Sequence, residues 1–366
     1  MTDPLLHMIT TADWKVALAA GVVAPPSLAE VGFVHLSTAH QVAVPANALF
    51  TGRRDIQLLV LDPDRIGVEV RWEDGHPPAP DGMQFPHAYG PVPTSAVLAV
   101  RPYLPDENGA FGVSETPATD AASRAAGFEQ AVLVRAATTV VPVTGGLAVL
   151  TAEVPRSRMH NQLLVDGTVE AAQLVADADA VLGGAGLAHR MTNLVGSGQQ
   201  PVAEALIERG WHADHMAIMV APAAGKHDAR VERVDLDDLR PLWAEAWRHD
   251  IPGVTDDVIT QLADRNGVEE RVVDLRYLAV RAAGRPVASC MLKIDGATAW
   301  IDAVSTDPEH RGLGHGDALV DTARALAADA GCDLVALAAD LADWPLQWYA
   351  RRGFVQVAQA WSVGTP

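Results

Sequence analysis

The residues best suited to chemistry lie in positions 302–316, DAVSTDPEHRGLGHG. The first half reads as a strand. The second half, Arg311-Gly312-Leu313-Gly314-His315-Gly316, is a turn dense in glycine, and a helical pattern runs from 317 to 330. Strand, glycine turn and helix start together build an anion site. The first backbone N–H groups of a helix have no internal partner and carry the positive end of the dipole. Glycine lets a pyrophosphate approach that backbone with no Cβ in the way. No Lys-Ser/Thr pair follows the last glycine, so the turn is not a P-loop, and a full GxGxxG is absent. A second set sits in the first hundred residues: His7, His35, Ser37, Thr38, Glu73 and His87. Imidazoles and hydroxyls can hold phosphate or ribose, and a carboxylate can orient a ribose hydroxyl. The same residues can equally be satisfied polar groups that pin turns. No metal site is expected among them, since His35 and His87 lack closely spaced ligand partners apart from His40.

The elements that must position the glycine turn are readable around it. Residues 231–234 form a first strand. Residues 236–247 follow as a helix, with Leu239, Leu242, Trp243, Ala246 and Trp247 at helical spacing, a stripe read as core. Residues 255–265 form another helix with Thr255 as its N-cap. Strands are expected at 276–282, 286–295 and 298–305, with Gly284-Arg285 and Asp295-Gly296 as hairpin turns. A further strand, 334–338, closes on Ala338, ahead of Trp348-Tyr349-Ala350-Arg351-Arg352-Gly353-Phe354.

The spacing Arg311-x-x-Gly314-x-Gly316, the preceding Val304-Ser305-Thr306-Asp307-Pro308 and the Tyr349-x-x-x-Gly353-Phe354 ending resemble the GNAT N-acetyltransferases. That resemblance implies an acetyl-coenzyme A site. Arg311, Gly312, Leu313, Gly314, His315, Gly316 and Asp317 would hold the pyrophosphate, and Val304, Ser305 and Thr306 would pair with the pantetheine arm. Tyr349 matches the family's acid for the leaving thiolate. Asp302 stands near the family's carboxylate for the amine proton, here as the shorter Asp, so a bridging water is expected. Asp340 and Asp343 are candidate contacts to a cationic acceptor or a solvated loop.

Residues 1–104 form a separate unit: a strand at 5–10, helices at 12–20 and 41–50, and strands at 56–62, 68–72 and 96–102, with a polar, proline-rich loop at 74–83. His7, Thr10, Trp14, the run Gly32-Phe33-Val34-His35-Leu36-Ser37-Thr38, Gln41, Trp72-Glu73 and Phe85-Pro86-His87-Ala88-Tyr89-Gly90 resemble domain-of-unknown-function family 952. The resemblance implies an α+β fold similar to ADP-ribosyltransferases and RNA phosphotransferases, and NAD or another nucleotide is the candidate ligand for the histidine, hydroxyl and carboxylate set. Residues 105–127 read as a small, polar linker. Residues 128–222 carry a hairpin at 140–154, helices at 169–178 and 202–209, and strands at 188–194 and 215–221. Their order resembles a degenerate N-terminal half of a tandem GNAT protein, with no coenzyme A loop, since Gly183-Gly184-Ala185-Gly186 lacks the flanking pattern. Residues 228–366 are the complete acetyltransferase unit. His160, Asn161 and Arg190 are polar enough to face the cleft between the halves.

The fold class is therefore α/β (α+β), tandem GNAT folds with mixed central sheets behind an N-terminal α+β domain. The 366 residues carry a net charge of −19, which argues against nucleic acid or an anionic membrane and suits a cationic small-molecule amine. No apolar run approaches the ~18 residues of a membrane span, and 1–14 has no signal-peptide pattern. Cys290 and Cys332 read as buried thiols in a reducing, cytoplasmic setting. The expected activity is acetyl-coenzyme A-dependent N-acetylation of a small amine. Two other readings stay open: a nucleotide-binding sensor with a regulatory acetyltransferase half, or ADP-ribosyl or phosphoryl transfer in residues 1–104. No sequence feature fixes an oligomeric state.

Overall fold

A computed structural model describes residues 3–75 and 82–365. Most of the expected 74–83 loop lies outside the described residues. The N-terminal unit contains β1 (Leu5–Thr10), α1 (Thr11–Ala20), β2 (Val22–Val23), α2 (Pro26–Val31), β3 (Val34–His35), α3 (Ala43–Leu49), β4 (Ile56–Leu61), β5 (Val70–Asp74), β6 (Gln84–Ala88), β7 (Val92–Pro93) and β8 (Val97–Pro102). Local chemistry sets α1: the Thr10 hydroxyl accepts the Asp13 N–H, and Gly21 closes the helix at φ 74°, the left-handed conformation glycine adopts without strain. The strands build two three-stranded sheets, β1-β4-β8 and β3-β6-β5, and the pair β2-β7.

Next come α4 (Ala121–Ala136), β9 (Thr139–Val143), β10 (Gly146–Leu150), β11 (Gln162–Val165), α5 (Ala171–Ala178), β12 (Met191–Val195), α6 (Gln200–Ile207) and β13 (His212–Pro222). The last segment holds β14 (Val231–Val234), α7 (Leu236–Asp250), α8 (Asp256–Asp264), α9 (Asn266–Glu269), β15 (Asp274–Ala282), β16 (Arg285–Asp295), β17 (Thr298–Thr306), α10 (His315–Asp329), β18 (Leu334–Asp340), α11 (Pro345–Ala350) and β19 (Val355–Gly364).

These two segments share one eleven-stranded sheet, ordered β14-β15-β16-β17-β18-β13-β19-β12-β11-β10-β9. The division drawn at 222–228 follows the chain but not the sheet. β13 sits between β18 and β19, and β19 then pairs with β12. Each half lends a strand to the other, so neither sheet is complete alone. The linker expected at 105–127 also ends early. Asp120 accepts the N–H groups of Ala122 and Ser123, and the Ala-rich run that looks like a spacer is the first two turns of α4. Smaller differences are local. Residues 188–190 precede the strand β12, and α10 begins at His315 rather than 317. Thr255 has the extended N-cap backbone, but its hydroxyl makes no capping bond.

The period-2 alternation of strands separates two cores. Tyr277, Ala279, Met291 and Trp300 face one side, with α4 and α7 packed over them through Phe128, Val132, Leu239, Leu242 and Trp243. Leu278, Val280, Cys290, Leu292 and Ile301 face the other, under α10, Tyr349 and Phe354. The Trp243 indole donates to the Ser289 hydroxyl, as expected of a core stripe.

Candidate active site

The site opens where two central strands part. β17 and β18 pair only over Thr298–Trp300 with Leu334–Ala336. β18 then continues against β13, while β17 continues against β16 alone. From 301 to 306 the edge of β17 that faces β18 has no strand partner among the described residues. At the same place Ala303 takes φ 50°, a conformation disfavoured for a residue with a Cβ. The β16–β17 register slips between Ser289 and Met291. This bulge re-aims the strand and presents Val304, Ser305 and Thr306 as an open edge, where an extended amide chain can dock as an added strand.

The glycine turn lies just beyond. Gly312 and Gly314 have φ 78° and 75°, and a Cβ at either would meet nothing within 4 Å. Glycine is needed there for the left-handed turn and keeps the space outside it clear. Gly316 differs: a Cβ there would stand 3.2 Å from Trp348, so it allows α11 to press on the start of α10. The amides of His315, Gly316 and Asp317 are the unpaired first turn of a 15-residue helix. His315 Nδ1 is buried with no partner. Arg311 and Leu313 are exposed, Arg230 Nη1 donates to the Leu313 carbonyl, and the Asp317 carboxylate pairs with Arg352. These residues fit an anion with several oxygens.

Tyr349, on α11, is buried and packs edge-on against Trp348 and Phe354. Burial first, then the neighbourhood of Cys290 and Asp302, raises its pKa above the usual phenol range. The hydroxyl therefore stays protonated at neutral pH, as a proton donor must. Burial likewise pushes the Cys290 thiol up, so it is no nucleophile.

Asp302 stands on the other side of the strand gap with both oxygens engaged. Oδ1 accepts the Ala303 N–H at 2.8 Å, and Oδ2 lies 3.3 Å from Lys293 Nζ. Lys293 has no solvent exposure and also touches Glu269 at 2.8 Å and Glu129 at 2.9 and 3.1 Å. His160 Nε2 lies 3.2 Å from Glu269, and Ser157 Oγ lies 2.9 Å from His160 Nδ1. Both contacts to Glu269 are at ion-pair distance, but neither is aligned as a hydrogen bond. Burial works against charge on Lys293, and its three carboxylates outweigh that and hold it protonated. Glu129 is shifted up by burial, with Lys293 opposing. Glu269 is held low by Lys293 and His160 despite burial. Half-buried Arg265 rests over the Trp247 ring at 5.2 Å.

Glu129, Glu269 and Lys293 have no signal in the sequence as site residues. The one available hint is Lys293 itself, a lone charge inside the apolar run SCMLKI. Asp340 and Asp343 serve their own loop, accepting the N–H groups of Ala342 and Trp344. Asn161 ties a turn by donating to the Val154 and Ser157 carbonyls, and Arg190 pairs with Asp179.

The N-terminal set comes together in part. β3 and β5 flank β6, which brings His35, His87 and Glu73 to one sheet. Glu73 Oε2 lies 2.9 Å from His87 Nδ1, and the Tyr89 hydroxyl donates to both Glu73 oxygens. Phe33 stacks on His87 at 4.0 Å, with the exposed His35 ring edge-on to both. His7 Nδ1 bonds the His35 carbonyl at 2.8 Å, and its buried Nε2 has no partner. Burial lowers the His7 pKa to about 4. Ser37 is spent on backbone pairing with Leu6, and the Thr38 N–H bonds the Gln41 side chain. Tyr89 belongs to this group and stands outside the residues singled out from the sequence.

Residues 236–354 match the acetyltransferase (GNAT) family, so this part of the chain is a GNAT acetyltransferase domain. Residues 8–100 match a family described only as a protein of unknown function, DUF952. A functionally unknown conserved protein from Staphylococcus epidermidis ATCC 12228 shares 15% identity over 63% of this chain and 94% of its own, at TM-score 0.52, a likeness of fold. A GCN5-related N-acetyltransferase from Kribbella flavida gives 20% identity, 67% and 95% coverage and TM-score 0.47. A protein from Caulobacter crescentus gives 26% identity over 30% of this chain and 93% of its own, at TM-score 0.27. No curated protein matches the chain. Among the described residues no helix is long and apolar enough to cross a membrane.

Proposed function

We propose that the chain transfers an acetyl group from acetyl-coenzyme A to the nitrogen of a small amine. The observation that carries this reading is the open edge of β17 running into the bare N-terminus of α10, with the Tyr349 ring beside the gap. In this reading the amides of 312–317 and the Arg311 side chain bind the pyrophosphate. The edge at Val304, Ser305 and Thr306 aligns the pantetheine arm. A strand amide at the bulge stabilises the charge that develops on the thioester oxygen. The Tyr349 hydroxyl protonates the departing thiolate. Asp302 lies on the opposite side of the strand, where the amine enters.

Calorimetry on the full chain tests it. Acetyl-coenzyme A is expected to bind in the micromolar range, and Gly314→Val, which forces a β-branched residue to φ 75°, is expected to weaken binding at least about tenfold. No binding by the unmodified protein overturns the reading.

A further inference from the structure

We propose that Glu129, reaching the site from α4 across the junction of the two halves, receives the ammonium of the acceptor and takes its proton. Lys293 acts as the positioning residue beneath it. This rests on the acetyltransferase reading above and names the group that reading leaves open.

Exposure within the cluster sets inner and outer members apart. The side chains of Lys293 and Glu269 are 0% and 1% exposed, while those of Glu129 and Asp302 are 21% and 34% exposed. One closed ion pair thus supports two carboxylates that reach solvent. Both are held by the same ammonium, on the α4 side of the sheet rather than the Tyr349 side. The two rim groups are not equivalent. Asp302 accepts a backbone N–H besides its lysine contact. Glu129 faces Lys293 alone, and burial has already raised its affinity for a proton. A base is most effective when its affinity suits the working pH.

Charge counting points to the ligand. The groups facing this space are Glu129 on α4, Glu269 on α9, Asp302 on β17, Lys293 on β16, Arg265 before α9 and His160 from the loop ahead of β11. The His160 ring is fixed between the Ser157 hydroxyl, 2.9 Å from Nδ1, and Glu269, 3.2 Å from Nε2. Apart from that imidazole, three carboxylates face two cations, Lys293 and Arg265. The surplus negative charge is neutralised by a proton on Glu129 or by an incoming ammonium, and the two exchange.

The step balances. One N–H proton of the ammonium passes to the Glu129 carboxylate. The freed lone pair forms the C–N bond to the thioester carbon, and the C–S bond breaks with its electrons on sulfur. The thiolate takes the Tyr349 proton, the tyrosine regains one from the nitrogen through water, and Glu129 releases its proton to solvent at the rim.

The test uses the full-length protein saturated with coenzyme A, titrated with n-butylammonium chloride in buffers of different ionisation enthalpy. The unmodified protein is expected to bind the probe saturably and release a proton on binding. Glu129→Gln, which should bind coenzyme A as before, is expected to bind the probe about tenfold more weakly without proton release. Equal affinity and proton count in both proteins overturns the proposal, as does absence of probe binding by a protein that binds coenzyme A. Absence of coenzyme A binding overturns the acetyltransferase reading first, and this proposal with it. Should Glu129→Gln not fold, Asp302→Asn decides the matter: proton release retained supports Glu129, and proton release lost assigns the base to Asp302.

Discussion

Asp295 is the group whose removal should cost the chain most for its size. It ends β16 at the hairpin turn and is 3% exposed. Its Oδ1 accepts the Trp14 indole N–H at 2.7 Å, and its Oδ2 pairs with Arg135 Nη2 at 2.5 Å. Trp14 belongs to α1 and Arg135 to α4, so one carboxylate ties the N-terminal unit and the interdomain helix to the large sheet. The Arg135 side chain has no exposure, and its Nε and Nη1 have no other partner. In Asp295→Ala that guanidinium is buried with nothing to offset its charge, a loss of about 3–5 kcal/mol. The unpaired indole adds about 1 kcal/mol. At roughly 2–4 °C per kcal/mol for units of this size, the first calorimetric transition should fall by about 8–24 °C. Asp295→Asn keeps an oxygen for one of the two donors, while its NH2 faces the other, and should lose less than the alanine variant. Trp14→Phe removes only the indole bond and should cost about 1 kcal/mol. A fall of under about 3 °C in Asp295→Ala would refute the reasoning, because Arg135 would then have to be solvated once its partner is gone.

Two further outcomes follow from the site. Tyr349→Phe keeps the ring contacts to Trp348 and Phe354 and should bind acetyl-coenzyme A unchanged, while kcat for acetyl transfer falls about a hundredfold; unchanged kcat would remove Tyr349 as the acid. Lys293→Met takes the cation from three carboxylates and should destabilise the fold by about 3–5 kcal/mol at pH 8. Without the lysine, burial raises the Glu129 pKa unopposed, and Glu269 loses the cation that offsets its own burial. The variant then loses stability as pH rises to the raised Glu129 value and recovers toward pH 5. Urea melts at the two pH values check this, and an equal loss at both would mean the lysine is held by packing rather than charge.

The local chain at the proposed donor side is legible in the sequence. Residues 302–317 set strand, turn and helix start within one short run, and φ-positive glycines occur where the turn needs them. The hairpins at Gly145 and Gly296 were readable for the same reason. What could not be read is pairing across distance. Glu129 meets Lys293 from 164 positions away, and Trp14 meets Asp295 from 281. Asp295 is visible in the sequence only as half of an Asp-Gly turn. The composition of 105–127 speaks for a spacer, yet a single capping aspartate at 120 starts a helix inside it. The exchange of β13 and β19 leaves no local trace, since either strand has the same apolar character in any neighbouring slot.

Under the proposed function, that difference has a physical consequence for how the two substrates are recognised. The proposed donor surface is continuous in sequence, from 302 to 317, so its residues are set beside one another by the local chain. The proposed acceptor surface requires α4 to be seated, and apolar contacts such as Phe128 on Trp300 do not fix how far a helix slides or turns. The charges do. Arg124 binds Asp333, the Thr298 hydroxyl and the Ala297 carbonyl; Arg135 binds Asp295; and Glu129 lies between them on Lys293. Buried ion pairs contribute little net stability, but a helix displaced by one turn would leave all three unpaired at once. Their value here is registry: they place one carboxylate of a helix, at a position that sequence composition hides, against the gap where the two central strands part.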